Sequence, residues 1–178
     1  KRYWIEHTFV NKKAFEIPSR EFKFPIMEMV DEGRITIIND ETIRPETVVN
    51  WFLEKAQVYN IINIAADLHR ATYLKQAFDD AGLPLEIVRS GPITHSKLSP
   101  LVESILAEET IVFGNNPTMR WYVNNTYKEF DKKGNESYNK IEPILRKTDG
   151  FFALLHSLVL DDELQEATEP VYICTITF

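Results

Sequence analysis

The sequence predicts an α/β protein in which a mixed β-sheet is flanked by helices. Apolar runs of strand length alternate along the chain with segments of helical periodicity, which is the pattern of an α/β sheet. A polar hairpin pattern in the second half indicates that the strands are not all parallel. The 178 residues suit one compact domain, residues 1–178, in which 161–170 form an acidic connection to a terminal strand.

Composition narrows the classes of function. Hydrophobic residues make up 44% of the chain and charged residues 26%, as in an ordinary globular protein. The formal net charge of −7 excludes a strongly basic nucleic-acid-binding domain, although nucleases gather acids around metal ions. The single cysteine, Cys174, cannot form an internal disulfide bond. Because the sequence has neither a signal-peptide pattern nor an apolar run of membrane-spanning length, we expect a cytoplasmic protein.

The first half of the chain alternates strand and helix signals. The run 61–67 is apolar apart from Asn63 and its last residue, which predicts a central strand covered on both faces. Pro45 suits the first position of a helix, and Gly82 stops another. The helix after Pro45 is predicted to bury Val48, Val49, Phe52, Leu53 and Ala56. The predicted strands are 2–10, 34–39, 61–67 and 83–90, and the predicted helices are 25–33, 45–59 and 71–82.

The second half continues with helix and hairpin signals. A Ser-Pro pair at 99–100 and an Asn-Pro pair at 116–117 each predict a capping residue followed by the first helical residue. The polar segment 126–144 predicts a hairpin that turns near Gly134. The predicted helices are 98–109, 115–125 and 146–159, and the predicted strands outside the hairpin are 110–114 and 170–178.

Asp67 is the first candidate for chemistry. It directly follows the apolar strand pattern and precedes a predicted helix. Ligands of open α/β sheets gather beyond the carboxyl ends of central strands, so a carboxylate here suits a metal ligand. Aspartate is also a preferred helix N-cap, and capping is therefore the alternative interpretation.

Asp149 has the same two interpretations. It begins a strongly apolar helix, where a carboxylate interacts well with the helix dipole. Arg146 and Lys147 precede it in a loop that could face phosphate. Carboxylates remote along the chain are normal ligands of Mg²⁺ or Mn²⁺, and two such ions can drive phosphodiester hydrolysis.

Other chemical motifs are absent or weaker. No zinc-binding histidine spacing, nucleotide-phosphate loop or nucleophile elbow occurs. The hairpin lysines Lys128, Lys132, Lys133 and Lys140 could follow a DNA backbone or form an ordinary solvated surface. The set of candidate DNA-binding residues is Arg120, Lys128, Lys132, Lys133, Arg146 and Lys147.

An ordered set of short motifs runs through the second half of the chain. In order, they are Asn116-Pro117, Arg120-Trp121, Asn125, Gly134-Asn135, Arg146 and Asp149-Gly150. This set resembles the C-terminal nuclease domain of tailed-phage terminase large subunits. Upstream, the stretch IAADLHRATYLKQAFDDAG is similar to that family's strand-ended acid and the helix after it. The resemblance covers roughly residues 3–160.

The resemblance implies a ribonuclease-H-like fold and a two-metal endonuclease that cuts concatemeric double-stranded phage DNA during packaging. It implies that Asp67 and Asp149 are the catalytic, metal-binding acids, with Mg²⁺ or Mn²⁺ as cofactor and no nucleotide in this part of the protein. The implied partners are DNA, the ATPase domain of the same parent chain, the small terminase subunit and the portal, in the host cytoplasm and away from membranes.

The chain departs from the family at its start. The family's first metal-binding acid lies on a strand before the element that matches 2–10, and neither that strand nor the ATPase domain occurs here. We therefore expect a fragment with weak or absent cleavage, in which the terminal strand or a second copy of the chain fills the gap. The alternatives are a non-catalytic module that docks on DNA or the portal, a resolvase-like nuclease, and a binding domain whose acids only cap helices.

Overall fold

The computed structural model describes residues 1–17, 22–142, 144–164 and 172–177, the side chains of Arg70 and of 172–177 excepted. The strands are β1 (Arg2–Asn11), β2 (Ile35–Ile38), β3 (Ala65–Asp67), β4 (Glu86–Val88), β5 (Ile111–Val112), β6 (Thr126–Phe130), β7 (Glu136–Lys140) and β8 (Tyr172–Thr177). The helices are α1 (Ile26–Asp31), α2 (Pro45–Ala56), α3 (Leu68–Asp80), α4 (Pro92–Ala107), α5 (Pro117–Asn124) and α6 (Asp149–Ser157). Segments of 3₁₀ helix follow β1 at Lys12–Phe15 and α6 at Leu158–Glu163.

β1 is the centre of the main sheet. β5 pairs with its start, at Arg2 and Tyr3, and β2 pairs with its end, from Thr8 to Asn11. β8 pairs with β1 from Tyr3 to Thr8, and all three neighbours run parallel to β1. Tyr3 has partners in both β5 and β8, and Thr8 has partners in both β2 and β8. β8 therefore occupies one edge of β1, while β5 and β2 share the other.

The predicted terminal strand is thus present and borders β1. Whether it replaces a strand that relatives carry elsewhere stays a prediction. Of the predicted acidic connection, 161–163 belongs to the 3₁₀ segment and 165–170 lies outside the described residues.

The remaining strands form two separate pairs. β3 and β4 are parallel, with Asp67 opposite Val88, and β6 and β7 form the predicted antiparallel hairpin. In the described part of the chain, neither pair is hydrogen-bonded to the main sheet. The prediction of a central strand at 61–67 was therefore wrong, because only its last three residues are a strand and they border β4 alone. The apolar run arises from packing, since Ile64 is buried in a hydrophobic cluster with α2 and α3.

Two hydrophobic clusters cover the two faces of β1. Successive side chains of a strand point to opposite faces. Trp4 accordingly packs with residues of α4, α5 and α6, whereas Phe9 packs with residues of α2 and α3. The main sheet is thereby enclosed between two helical layers, as the α/β prediction requires.

The buried face of α2 is shifted from the predicted one. Trp51 is 8% exposed and stacks on His7 of β1, with ring centroids 6.3 Å apart. Leu53 is 41% exposed and Ala56 is also exposed, so both predictions of burial were wrong. The helical pattern left the tryptophan out, although its ring offers more apolar area than either of these side chains. The predictions for Val48, Val49 and Phe52 are confirmed.

α4 starts earlier than the Ser-Pro signal predicted. It begins at Pro92 after Gly91, and Pro100 lies inside it. A proline there removes one helical hydrogen bond, to the carbonyl of Ser96. Ser99 is not a cap, because its side chain is fully buried with its hydroxyl 3.1 Å from that of Tyr138. Packing against the hairpin outweighs the local signal.

Gly150 and Tyr122 fix α6 against α5. A Cβ atom on Gly150 would lie 2.2 Å from Cδ2 of Tyr122, so only glycine allows this approach. The Tyr122 ring is 3% exposed, and its hydroxyl lies 3.1 Å from that of Thr8 on β1. Because Asp149 directly precedes Gly150, this contact also determines where the candidate acid lies.

Gly150→Ala is expected to lower the free energy of unfolding by about 1–3 kcal/mol, because the new methyl group would overpack a buried ring. At an exposed position inside a helix, a change from glycine to alanine would stabilise the protein by up to about 1 kcal/mol. A loss of stability would therefore show that the contact with Tyr122 outweighs helix propensity. Urea denaturation measures it. Gly91→Ala is the control, since a Cβ there meets nothing within 4 Å. Equal effects of the two changes would contradict the prediction.

Candidate active site

Asp67 ends β3 and caps α3. Its Oδ1 accepts a hydrogen bond of 3.0 Å from the backbone N–H of His69, and its backbone is extended, as an N-cap requires. The capping interpretation is thereby confirmed. The His69 side chain is exposed, and Asp67 itself is half-buried at the carboxyl end of the strand. Capping occupies only one carboxylate oxygen, which leaves the other for a second role.

Asp149 is the first residue of α6, and Thr148 holds the N-cap position without a side-chain capping bond. Burial raises the pKa of the Asp149 carboxyl, and the charges of Lys140 and Lys147 act to lower it. A carboxylate at a helix N-terminus is also favoured by the helix dipole. Asp149 is therefore a partly desolvated acid whose charged form depends on neighbouring cations.

The two acids lie on elements that pack against each other, because α6 contacts β3. Their charges nevertheless act on different neighbours. Burial lowers the pKa of His156, near the end of α6, and the charge of Asp67 partly offsets this. The cations that act on Asp149 are Lys140 and Lys147. The fold thus brings β3 and α6 together, with Asp67 within electrostatic reach of the later part of the helix.

The two carboxylates are donor groups of the kind that bind a cation whose coordination shell is completed by substrate and water. Across residues 1–17, 22–142 and 144–164, no three His, Cys, Asp or Glu side chains gather as metal ligands. Mg²⁺ is commonly held by one or two carboxylates together with water and substrate phosphate. Asp67 and Asp149 are carboxylates of that kind, and their role as metal ligands stays a prediction. The predicted two-metal arrangement stays a prediction.

Two of the predicted DNA-binding side chains are engaged within the protein. Lys128 forms ion pairs with Glu103 and Glu136, the second at 3.1 Å. Arg146 pairs with Glu142 at 3.4 Å. These cations are partly neutralised, which weakens their attraction for phosphate.

The other predicted bases are more open. Lys132 and Lys133 are exposed at the turn of the hairpin, and no ion pair involves them among the described residues. Arg120 is also exposed, and it donates a hydrogen bond of 3.1 Å to the Asn115 side chain. Lys147 is half-buried beside Asp149. The hairpin turn therefore offers the clearest free positive charge of the predicted set.

Glu6 is a buried acid that the sequence analysis missed. Both of its carboxyl oxygens are shielded from solvent, and neither has a hydrogen-bond partner among the described residues. Burial raises the pKa of Glu6 to about 7, although Trp4, Arg34 and Asn116 lie close enough to act in the opposite direction. The available signal was a lone acid inside an apolar strand pattern. Its partners could not be predicted, because they come from distant parts of the chain.

Two buried histidines were also missed. His95 and His156 are each 5% exposed, and burial lowers the pKa of both side chains. Nε2 of His156 has no hydrogen-bond partner within the described ranges. Their spacing does not fit a zinc site, so the sequence analysis did not select them. A buried neutral imidazole can nevertheless form hydrogen bonds that hold the fold together.

The arrangement of strands and helices occurs in a phage protein. The crystal structure of the HK97 bacteriophage large terminase is similar to this chain, with a TM-score of 0.72 and 20% sequence identity. The chain has the fold of a section of that terminase. The similarity covers 84% of this chain and 32% of the terminase chain, so this chain spans about a third of the terminase's length. No protein-family model and no curated protein matches the sequence.

The fold shared with the HK97 terminase confirms the α/β prediction, and the ribonuclease-H-like class that the resemblance implied stays a prediction. Parallel and antiparallel strands are both present, but in different sheets. Within the described residues, every helix is too short or too polar to cross a membrane.

Glu6→Gln is expected to remove a pH-dependent loss of stability. Because burial raises the folded pKa from 4.5 to about 7, stability is complete below pH 4.5 and falls as the pH rises through 7. The shift from 4.5 to about 7 corresponds to about 3 kcal/mol above neutral pH. Urea denaturation at about pH 5 and about pH 8 tests this, and the glutamine variant should be the more stable form at the higher pH.

The exposed Glu16 provides the control, since Glu16→Gln should leave the pH profile unchanged. A Glu6→Gln variant as sensitive to pH as the wild type would show that the buried carboxyl is not responsible.

Proposed function

We propose that the chain is a metal-dependent DNA endonuclease domain of a phage DNA-packaging terminase and cuts concatemeric double-stranded DNA. The observation that carries the proposal is the position of Asp149, at the start of α6 and near Lys140 and Lys147. α6 packs against β3, the strand that Asp67 ends. The fold shared with a section of the HK97 large terminase supports this assignment.

In this proposal Asp67 and Asp149 hold Mg²⁺ or Mn²⁺ through their carboxylates, as one ion or as the pair that the family resemblance implies. A divalent cation supplies Lewis-acid polarisation of the phosphodiester and stabilises charge on the leaving oxygen. Lys140 and Lys147 attract a DNA phosphate towards Asp149. The free N–H groups at the start of α6 favour the same negative charge.

The remaining partners follow from the family resemblance. DNA would be delivered by the ATPase domain of the parent polypeptide, and the small terminase subunit and the portal would contact the same assembly. A location in the host cytoplasm belongs to this proposal as well.

Asp67→Asn separates helix capping from catalysis. Asparagine caps a helix about as well as aspartate does, so thermal stability should change little. Loss of the carboxylate should lower Mn²⁺-dependent cleavage of supercoiled plasmid by at least about 100-fold. Asp149→Asn should cause a similar loss without lowering stability, because burial already disfavours the charged carboxyl. Gel electrophoresis measures cleavage, and circular dichroism measures melting.

Asp162 is the matched control acid, exposed in the 3₁₀ segment, and Asp162→Asn should cleave as the wild type does. Since the chain spans about a third of the HK97 terminase, the assay should include both this chain and its parent polypeptide. Full cleavage by the parent polypeptide carrying either substitution would remove that acid from the site.

A second candidate function is DNA docking without cleavage. The hairpin favours it, because Lys132 and Lys133 are exposed beside Phe130, whose side chain is 63% exposed. Exposed lysines suit the DNA backbone irrespective of sequence. The portal would be the alternative partner of the same surface. This function needs no metal ion, which distinguishes it from the first.

The double substitution Lys132→Gln and Lys133→Gln is expected to weaken metal-free binding to duplex DNA. Removing two phosphate contacts should reduce the slope of log affinity against log salt by about 2. Fluorescence anisotropy of a labelled duplex at several salt concentrations measures both quantities. The exposed pair Lys12 and Lys23, changed in the same way, controls for net charge. If both double variants lose the same affinity, the hairpin has no special role.

A further inference from the structure

In the part of the chain that the structure describes, one edge of β7 is paired by side chains of α4 instead of by another strand. Ser96 Oγ donates a hydrogen bond of 3.0 Å to the Glu136 carbonyl and accepts one of 2.8 Å from the Glu136 N–H. The N–H of Tyr138 donates to Nδ1 of His95 at 3.2 Å. Alternate N–H groups of a strand point to opposite edges. The hairpin therefore uses one edge of β7 for β6 and the other for α4.

The bond from Tyr138 requires a neutral His95. Nδ1 is an acceptor only when it carries no proton, so the proton of the neutral ring lies on Nε2. That nitrogen is 3.3 Å from the hydroxyl of Ser90, which can accept its hydrogen. Both ring nitrogens are thus occupied in one tautomer. Protonation would turn Nδ1 into a donor that faces another donor, and this contact would break.

The surroundings of His95 favour the neutral form. Burial lowers the pKa of its side chain, and no charged residue of the described chain acts to raise it. The titratable groups that face it are Tyr138 of β7 and His156 of α6, and the Phe152 ring of α6 lies 5.6 Å away between centroids. A cationic His95 would therefore be surrounded by aromatic rings and a second imidazole. None of the described groups that face it is a carboxylate that could stabilise the positive charge.

We propose that His95 is a positioning residue whose neutral imidazole holds the β6–β7 hairpin on α4, and whose protonation loosens the hairpin. The lysines at the hairpin turn, Lys132 and Lys133, then change position with pH. The effect on DNA rests on the second proposed function, whereas the attachment itself does not. Since the pKa of His95 is lowered by burial, the attachment is complete above pH 6.5 and weakens as the pH falls below it.

Amide hydrogen exchange of Tyr138, followed by NMR on the whole chain, tests the attachment directly. Between about pH 7.5 and about pH 5, its protection factor should fall by about ten-fold, which matches the loss of one hydrogen bond. The amide of Leu154, in the core of α6, serves as the reference for global stability. The ¹⁵N shift of His95 Nδ1 should report protonation over the same pH range.

Three variants make the test selective. His95→Asn retains an acceptor near the former Nδ1 that cannot be protonated, so Tyr138 should stay protected at both pH values. His95→Ala should leave Tyr138 unprotected at both, with Leu154 protection showing that the chain is folded. Ser96→Ala should loosen Glu136 at both pH values while leaving the pH step at Tyr138 intact.

A pH step at Tyr138 that is equally large in the wild type and in His95→Asn would overturn the proposal, as would no step in the wild type. DNA affinity at constant salt separates the two proposals. If the step at Tyr138 occurs and DNA affinity changes with pH only in the wild type, both stand. If the step occurs and DNA affinity has the same pH dependence in His95→Asn, His95 still positions the hairpin, but loosening of the hairpin does not change DNA binding.

Discussion

The contact between Gly150 and Tyr122 is the constraint on which the candidate site depends. The tyrosine ring joins three elements, because its hydroxyl meets Thr8 of β1 while its edge fills the space beside Gly150. The position of Asp149 is therefore determined by close packing between α5 and α6, not by a free loop. The backbone of Asp149 can therefore move only if the helix moves with it. A fixed backbone position of this kind suits the proposed role of Asp149 as a metal ligand.

Buried titratable groups around the main sheet have opposing effects on stability. Burial raises the pKa values of Glu6 and Asp149 and lowers those of His95 and His156, so each group is shifted towards its neutral form. Glu6 destabilises the folded chain as the pH rises above 4.5, and Asp149 does so above 3.8, whereas the histidines destabilise it as the pH falls below 6.5. Between these values the two trends partly cancel, and the stability of the wild type should vary less with pH than any one group suggests.

Local signals predicted local structure well. The Asn-Pro pair begins α5 and the glycine after α3 ends that helix, both as predicted. Capping and left-handed turns depend on only a few neighbouring residues. Asp67 and Asp149 were identified from their positions at the ends of predicted elements and from the family resemblance. The isolation of β3 from the main sheet, the proline inside α4 and the lysine of β7 beside Asp149 were not predicted. Each of these depends on contacts between distant segments, which periodicity does not report.

The pairing of β1 with β8 has a consequence for how the protein is made. Tyr3 and Thr8 lie opposite residues 172 and 177, so one edge of the first strand is completed by a segment translated long after it. Until then its backbone N–H and C=O groups on that side are unpaired and can recruit a strand from another nascent chain. Contacts so remote in sequence also form slowly, because a long loop must close first. The yield of correctly folded protein should therefore depend on how long the edge of β1 stays unpaired during synthesis, and slower translation of the later segments should lower it.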